Sequence, residues 1–367
     1  MMVRSRILGV PMMVAVLAAA GCSDSTAPLA DFDPVRAQAD VAALTTLMQG
    51  NELEAFTTMS AYFDLSGAPL ATISTARQML SSGAPSSPET SRRMAVAVAE
   101  GLALRTASGN GPSLETLPPE LLGTTFTFDS DSNTYVPSDR TGAPANGVRF
   151  IVYAVDPITS TPIVGTEVGH ADLIDTSAGS QLTAGLRLIV VGGGTTYLDY
   201  AFSASGGTNS VNLEVDGFVT DGLTRLNFGI DANVAVVEEE LSIDMDFSFS
   251  IPSRQFSVTA SLDGLAGSSG SLGEITLTIM SAGAKVRFEI AEDDSTVNAT
   301  VYVNNRIFAT VTGDPSDPTV LGAGGNELTS EEVAALANLL AVAEASFEFF
   351  GSLMAPVYNA TGGVNVP

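Results

Sequence analysis

Between about residues 124 and 313 apolar and polar side chains alternate one by one, the period of a strand with one face buried. The run SIDMDFSFSI is the clearest case: Ile243, Met245, Phe247, Phe249 and Ile251 fall on one face, and Ser242, Asp244, Asp246, Ser248 and Ser250 on the other. Leu198, Tyr200 and Phe202 alternate the same way, as do Leu226, Phe228 and Ile230, and then Val286, Phe288 and Ile290. Short breaks such as SGGTN, LAGSSGS and SAGA separate these runs. Links so short join only antiparallel neighbours. Gly192-Gly193-Gly194 and Asn304-Asn305 read as hairpin turns, the latter because Asn tolerates the positive φ that tight hairpins require. The pattern predicts roughly ten to thirteen strands.

Ahead of this region the period is helical. Asp33-Pro34 is a helix start, with a capping side chain followed by proline at the first helical position. Further helices are predicted near 52–62, 70–80 and 88–104, and 106–119 reads as a loop rich in Gly, Ser and Pro. After the strands, Thr329-Ser330-Glu331-Glu332 forms a capping box. Val333, Leu336, Leu340, Ala343, Phe347 and Phe350 follow at spacings of three and four. The expected fold is α+β: a large curled, half-barrel-like antiparallel meander with N-terminal helices and a C-terminal amphipathic helix on its apolar face. Twist accumulated over so many strands favours the curl. The expected divisions are a leader over 1–21, a tether over 22–32, helices over 33–119, the sheet over 120–313, and a loop with the closing helix over 314–367.

The leader carries its own signal. Arg4 and Arg6 precede an apolar run from Ile7 to Ala20, too short to span a bilayer as a helix. Ala19-Ala20-Gly21 then precede Cys22, the only cysteine among 367 residues. This AAGC resembles the lipobox of bacterial lipoproteins, with Leu17 slightly further upstream than that pattern usually has it. The resemblance covers the leader alone and implies cleavage before Cys22, lipidation of its thiol, and attachment to a membrane of the cell envelope. Ser23 rather than Asp after the cysteine points to the outer membrane.

Composition narrows the chemistry. Asp and Glu number 41 against 15 Lys and Arg, a formal net charge of −26, and Lys285 is the one lysine. Nucleic acid is excluded as a partner, since phosphate binding needs clustered cations. A body of that charge is also expected to be repelled by an anionic membrane surface. With one His and one Cys, nucleophile–His catalysis would have to use His170, and there is no GxSxG elbow. His170 reads as a strand residue on a polar face. Paired carboxylates are too abundant to single out a glycosidase pair.

Asp129, Asp131 and Asn133 sit at positions one, three and five of a calcium-loop pattern. Thr134 stands where glycine is required and Arg140 where a bidentate Glu belongs, so a polar hairpin turn is the better reading. No cofactor motif occurs.

A transmembrane barrel also alternates. The absence of Trp, the few Tyr and the apparent shortness of several strands speak against one.

Two non-catalytic functions follow. In the first, the lipoprotein holds a hydrophobic or lipid ligand between sheet and helices, near Phe247, Phe249, Leu336 and Phe347. Its architecture then resembles the half-barrels closed by helices of envelope lipid carriers, an analogy of fold alone. In the second, the sheet is filled by its own side chains, and its acidic face meets another envelope protein.

Overall fold

The computed structural model describes residues 33, 35–37, 39–40, 42–43, 51–62, 117–177, 183–206, 210–237, 240–267, 270–293, 296–314 and 317–339. Cys22, Phe347 and the helices expected over 70–80 and 88–104 lie outside them. The described residues between 35 and 43 are helical (α1), and Asn51–Ala61 forms α2. A third helix, α3, covers 330–339 within the expected closing helix. The Thr329–Glu332 capping box is made: the Glu332 carboxylate accepts from the Thr329 backbone N–H at 2.8 Å, and the Thr329 hydroxyl accepts from the Glu332 N–H at 3.3 Å.

Fifteen strands form one open antiparallel sheet in the order β15-β14-β13-β12-β11-β10-β9-β8-β7-β6-β5-β4-β3-β1-β2. They are β1 Thr125–Asp129, β2 Thr134–Ser138, β3 Gly147–Val155, β4 Pro162–Asp175, β5 Thr183–Gly192, β6 Thr195–Gly206, β7 Ser210–Thr220, β8 Arg225–Val237, β9 Glu240–Ile251, β10 Phe256–Gly267, β11 Gly270–Ser281, β12 Ala284–Asp293, β13 Val297–Val303, β14 Arg306–Asp314 and β15 Asp317–Gly322. From β3 onward every strand pairs with the next in sequence, as links too short for a crossover require. The one parallel contact is between β1 and β3, because β2 folds back along the outside of β1. Both outer strands are short and carry a proline, Pro137 in β2 and Pro318 in β15, which removes backbone donors from the edges.

Two sequence expectations are corrected. The strands number fifteen, and β15 lies within the stretch assigned to a loop. β4 to β12 have 10 to 14 residues, whereas β1, β2, β13 and β15 have 5 to 7, so several strands are indeed shorter than a bilayer requires. Strands such as β10, ending LDGLAG, continue through Gly and Ala where apolar alternation fades. No described helix is long and apolar enough to cross a membrane.

The alternating residues form a continuous core. Phe228, Phe249, Val258, Ile279, Val286 and Val303 are successive cross-strand partners from β8 to β13, all buried. Leu53, Phe56 and Met59, one face of α2, join this core, and α2 lies against β3 to β6. Leu328, Leu336 and Leu339 join it from the α3 side. Gly217 is required by close approach: a Cβ there would sit 2.3 Å from Cβ of Tyr200, its partner on β6. The Tyr200 and Phe228 rings meet edge to face at 5.8 Å, on the strands flanking that glycine. The turns follow expectation, with positive φ at Gly193 and Gly194 and at Asn304 and Asn305.

α1 is tied through Asp40 to the strand ends around the β9–β10 turn. Asp40 is buried and accepts from Arg254 at 3.0 Å and from the Ser281 hydroxyl at 3.3 Å, across more than two hundred residues of chain.

Candidate functional site

Of the four residues expected to line an apolar site, Phe247, Phe249 and Leu336 are packed, at 8%, 2% and 3% exposure. Phe249 lies between two rings, 5.6 Å from Phe247 and 6.0 Å from Phe256. Packing loosens along the strands. Ala232, Met245, Leu262, Ile275, Ile290 and Ala299 form a cross-strand row four residues from the Phe228 row, and Met245, Ile275, Ile290 and Ala299 are only half-buried. Among the described residues the Tyr200 hydroxyl, deep in the core, has no hydrogen-bond partner, and burial pushes its phenol pKa upward. Leaving such a group unmatched costs about 1–3 kcal/mol.

His170 lies on β4 with Nε2 3.8 Å from Asp172. That carboxylate is already held by Arg149, whose Nε and second guanidinium nitrogen donate to its two oxygens at 2.6 and 2.7 Å. Burial, and then the Arg149 charge, lower the His170 pKa, and Asp172 offsets only part of this. An imidazole kept neutral beside a carboxylate that faces an arginine lacks the orienting contact of a catalytic triad.

Asp129, Asp131 and Asn133 form the β1–β2 hairpin turn. Asp129 accepts from the Asp131 N–H at 3.1 Å and from the Ser132 hydroxyl at 2.7 Å, and these bonds hold its pKa below the usual carboxylate value. Asn133 supplies the positive φ. The turn's own donors thus use both Asp129 oxygens. Among the described residues no three His, Cys, Asp or Glu side chains converge as a metal cage.

The polar face holds what sequence reasoning missed. Register places Glu214, Asp231 and Asp246 side by side on β7, β8 and β9, and Asp244, Asp263 and Glu274 side by side on β9, β10 and β11. Cross-strand partners have Cβ atoms about 4.5–5.5 Å apart, so four like-charged pairs face each other directly. A concavity of about 460 Å³ is lined by Glu214, Asp216, Asp231 and Asp246 together with Ser248, Thr259, Ser261 and Thr276. A second, of about 390 Å³, is lined by Ser242, Asp263, Glu274, Thr296 and Asn298, with the half-exposed Leu265. On the flank, by contrast, carboxylates meet arginines: Arg187 grips Asp199 with two bonds at 2.8 and 2.7 Å, and Arg149 grips Asp172. The signal was present in the alternating acids of β7 to β11. It became readable only once each turn had set its register.

Comparison with protein-family models, curated proteins and solved structures finds no match to this chain.

Proposed function

We propose that this chain is a non-catalytic envelope lipoprotein, tethered through Cys22 to a membrane, most consistent with the outer one, and that the acidic face of its sheet receives a cationic segment of another envelope protein. The sheet is curled and half-barrel-like in this reading, with the helices closing its apolar side. The observation that carries the reading is the set of carboxylate rows on β7 to β11, which no cation relieves among the described residues. Glu214, Asp231 and Asp246 line the larger concavity and Asp263 and Glu274 the other, while Phe247, which also borders the larger one, is buried like Phe249 and Leu336. Carboxylates and hydroxyls in a shallow trough match an extended Lys- or Arg-rich segment, in which ammonium or guanidinium groups neutralise adjacent acids.

The test has two arms. Cys22→Ala should abolish palmitate labelling, and labelling that persists would refute the anchor. An Arg-rich peptide should bind the protein at low salt and release it as salt rises. Asp231→Asn with Asp246→Asn should weaken that binding about tenfold or more, at about 1 kcal/mol per lost charge contact. Binding that ignores both substitutions would refute the docking face.

One observation favours a second reading, a lipid ligand on the apolar side: the half-buried row through Met245, Ile275 and Ile290, together with the unmatched Tyr200 hydroxyl. Saturable binding of an environment-sensitive fluorophore, displaced by fatty acids, would favour it over packing alone.

A further inference from the structure

The β1–β2 hairpin lies on the edge of β3 without extending its ladder far. Backbone groups of the odd-numbered β3 residues point to that edge. The Gly123 N–H donates to the Gly147 carbonyl at 2.8 Å, and the Arg149 N–H donates to the Thr124 carbonyl at 3.0 Å. β1 then pairs with β3 only at Thr125–Arg149 and Phe126–Phe150. At Ile151 a side chain takes over, the Tyr135 hydroxyl donating to the Ile151 carbonyl at 3.0 Å. Rings hold the rest of the hairpin in place. Phe126 stacks on Phe150 at 5.1 Å, and Tyr135 meets Phe150 edge-on at 5.9 Å. Phe128 meets Tyr135 at 5.6 Å, and Tyr62 at the end of α2 meets Phe128 at 5.5 Å. Phe126, Phe128 and Tyr135 are all buried. The strand they guard is GVRFIVYAV, in which Val148 and Phe150 to Tyr153 are buried and Arg149 is the one charge.

We infer that this hairpin is a strap over a pairing-competent strand edge, and that β3, when the strap lifts, pairs with β3 of a second copy of the chain. A strand made mostly of β-branched and aromatic residues, with no proline, is the composition that recruits further strands. The strap replaces that nine-residue edge by the five residues of β2, one of them Pro137, which has no N–H to continue the ladder. Short strands at the margin of a sheet, held by few backbone pairs, open before its centre does. β3 also suits itself as an occupant. In an antiparallel pair centred on Ile151, Arg149 of each copy falls opposite Tyr153 of the other, and Phe150 falls opposite Val152. Cation meets ring, aromatic meets β-branched side chain, and no like charges face each other. The N–H and C=O groups of the odd-numbered residues, which already point to this edge, exchange hydrogen bonds in that register. Arg149 keeps its grip on Asp172 meanwhile, since that carboxylate lies on the β4 side.

The strap is fastened near its tip and its far end more than along β3. At the tip the Thr134 hydroxyl donates to the Tyr62 carbonyl at 3.1 Å. Past β2, Arg140 pairs with Glu167 on β4, and both side chains are 44% exposed, so that pair adds little. The other edge of the sheet is closed differently. β15 reads DPTVLG, and the chain turns back after it, the Ala323 N–H donating to the Phe308 carbonyl at 3.1 Å. That strand offers no comparable apolar run. Association through β3 is thus gated by the opening of one hairpin, not by a preformed surface. The net charge of −26 on each copy slows their encounter, and added salt speeds it.

Cys22 is the only cysteine, so in the full chain carrying Cys22→Ala a single introduced thiol reports alone. Ile151→Cys sets the thiols of two copies opposite each other in the inferred register, with Cα atoms about 5.5 Å apart. Val155→Cys, four residues along the strand, sets them roughly 27 Å apart. Each chain is treated with a short bifunctional thiol reagent at several protein concentrations. Ile151→Cys should cross-link slowly, at a rate that rises with concentration, while Val155→Cys should stay monomeric. Tyr135→Phe removes the hydroxyl over Ile151 and keeps the ring, so it should speed cross-linking at 151 about fivefold or more. Phe128→Ala should speed it further, with the melting temperature checking that the fold is kept. Cross-linking at 151 that Tyr135→Phe leaves unchanged overturns the inference, as does equal cross-linking at 151 and 155. Hydrogen exchange reads the strap without any cysteine. In the unsubstituted chain the amides of β1 and β2 should exchange through an opening that leaves β8 to β12 protected, and faster in Tyr135→Phe. A hairpin that exchanges only together with β8 to β12 also overturns it.

Discussion

Neutralising Asp231 should stabilise the protein. Its carboxylate stands between Glu214 on β7 and Asp246 on β9, directly opposite both. Each like-charged pair across adjacent strands costs about 0.2–1 kcal/mol. Asp231→Asn removes two such pairs while keeping the shape of the side chain, for a gain of about 0.4–2 kcal/mol at low salt. In a domain of this size that raises the melting temperature by about 1–5 °C. Salt screens exposed charges, so the gap between variant and parent should narrow as salt is added. Asp216→Asn is the control. Asp216 faces Ala201 and Gly229 across the strands and lies in the field of Arg187, so its removal should leave stability unchanged or slightly lower. Thermal unfolding at low and high salt, followed by circular dichroism, measures all three proteins. A melting temperature for Asp231→Asn at or below the parent's at low salt would refute the repulsion argument.

Two further outcomes are expected. Phe247→Asp should abolish cooperative unfolding, because an unpaired carboxylate in the core costs several kcal/mol against a total stability of about 5–15, whereas its neighbour Asp246→Asn should fold normally. Similar melting of the two would refute the assignment of faces. His170 is the chain's only imidazole, so one proton resonance reports its titration. Its midpoint should fall below the ordinary 6.5, because burial and Arg149 disfavour the charged ring. The unfolded chain then binds the proton more readily, and this site's contribution to stability declines as the pH falls through about 6.5 toward the folded pKa. A midpoint above 6.5 would show that Asp172, not Arg149, governs the ring.

The parts legible in the sequence are those written in local periodicity. Alternation in SIDMDFSFSI placed Phe247 and Phe249 inside and Asp244 and Asp246 outside, and burial agrees. Asn304-Asn305 and Gly193-Gly194 turn as their tolerance for positive φ requires. What was not legible depends on partners far apart in the chain. β15 escaped because Pro318 in DPTVLG reads as a strand breaker, and only the structure shows it at a sheet edge, where a missing N–H costs nothing. The role of Asp40 was invisible because Arg254 and Ser281 lie more than two hundred residues away. The carboxylate rows are a product of register: each acid is an ordinary outward-facing residue until its neighbour across the strand is known. The same holds for Arg225, Arg254, Lys285 and Arg306, which look dispersed along eighty residues and are brought to one end by strands of matched length.

Stability alone does not account for where the charges sit. Arg187 and Arg149 show that this sheet can place a guanidinium over a carboxylate on β3 to β6. On β7 to β11 it does not, and the cations of those strands stand at one end instead. Each of the four facing pairs lowers stability, yet exchanging one acid for Ser or Thr, already frequent on this face, would relieve it without touching the core. A feature that costs stability and is cheap to remove persists most readily where it is used. Relief of that repulsion by a bound cationic segment would strengthen the complex by the amount the isolated protein loses. The gain in melting temperature of Asp231→Asn and the loss of peptide affinity in the same variant should therefore appear together. If the first occurs without the second, the acidic rows serve solubility, not recognition.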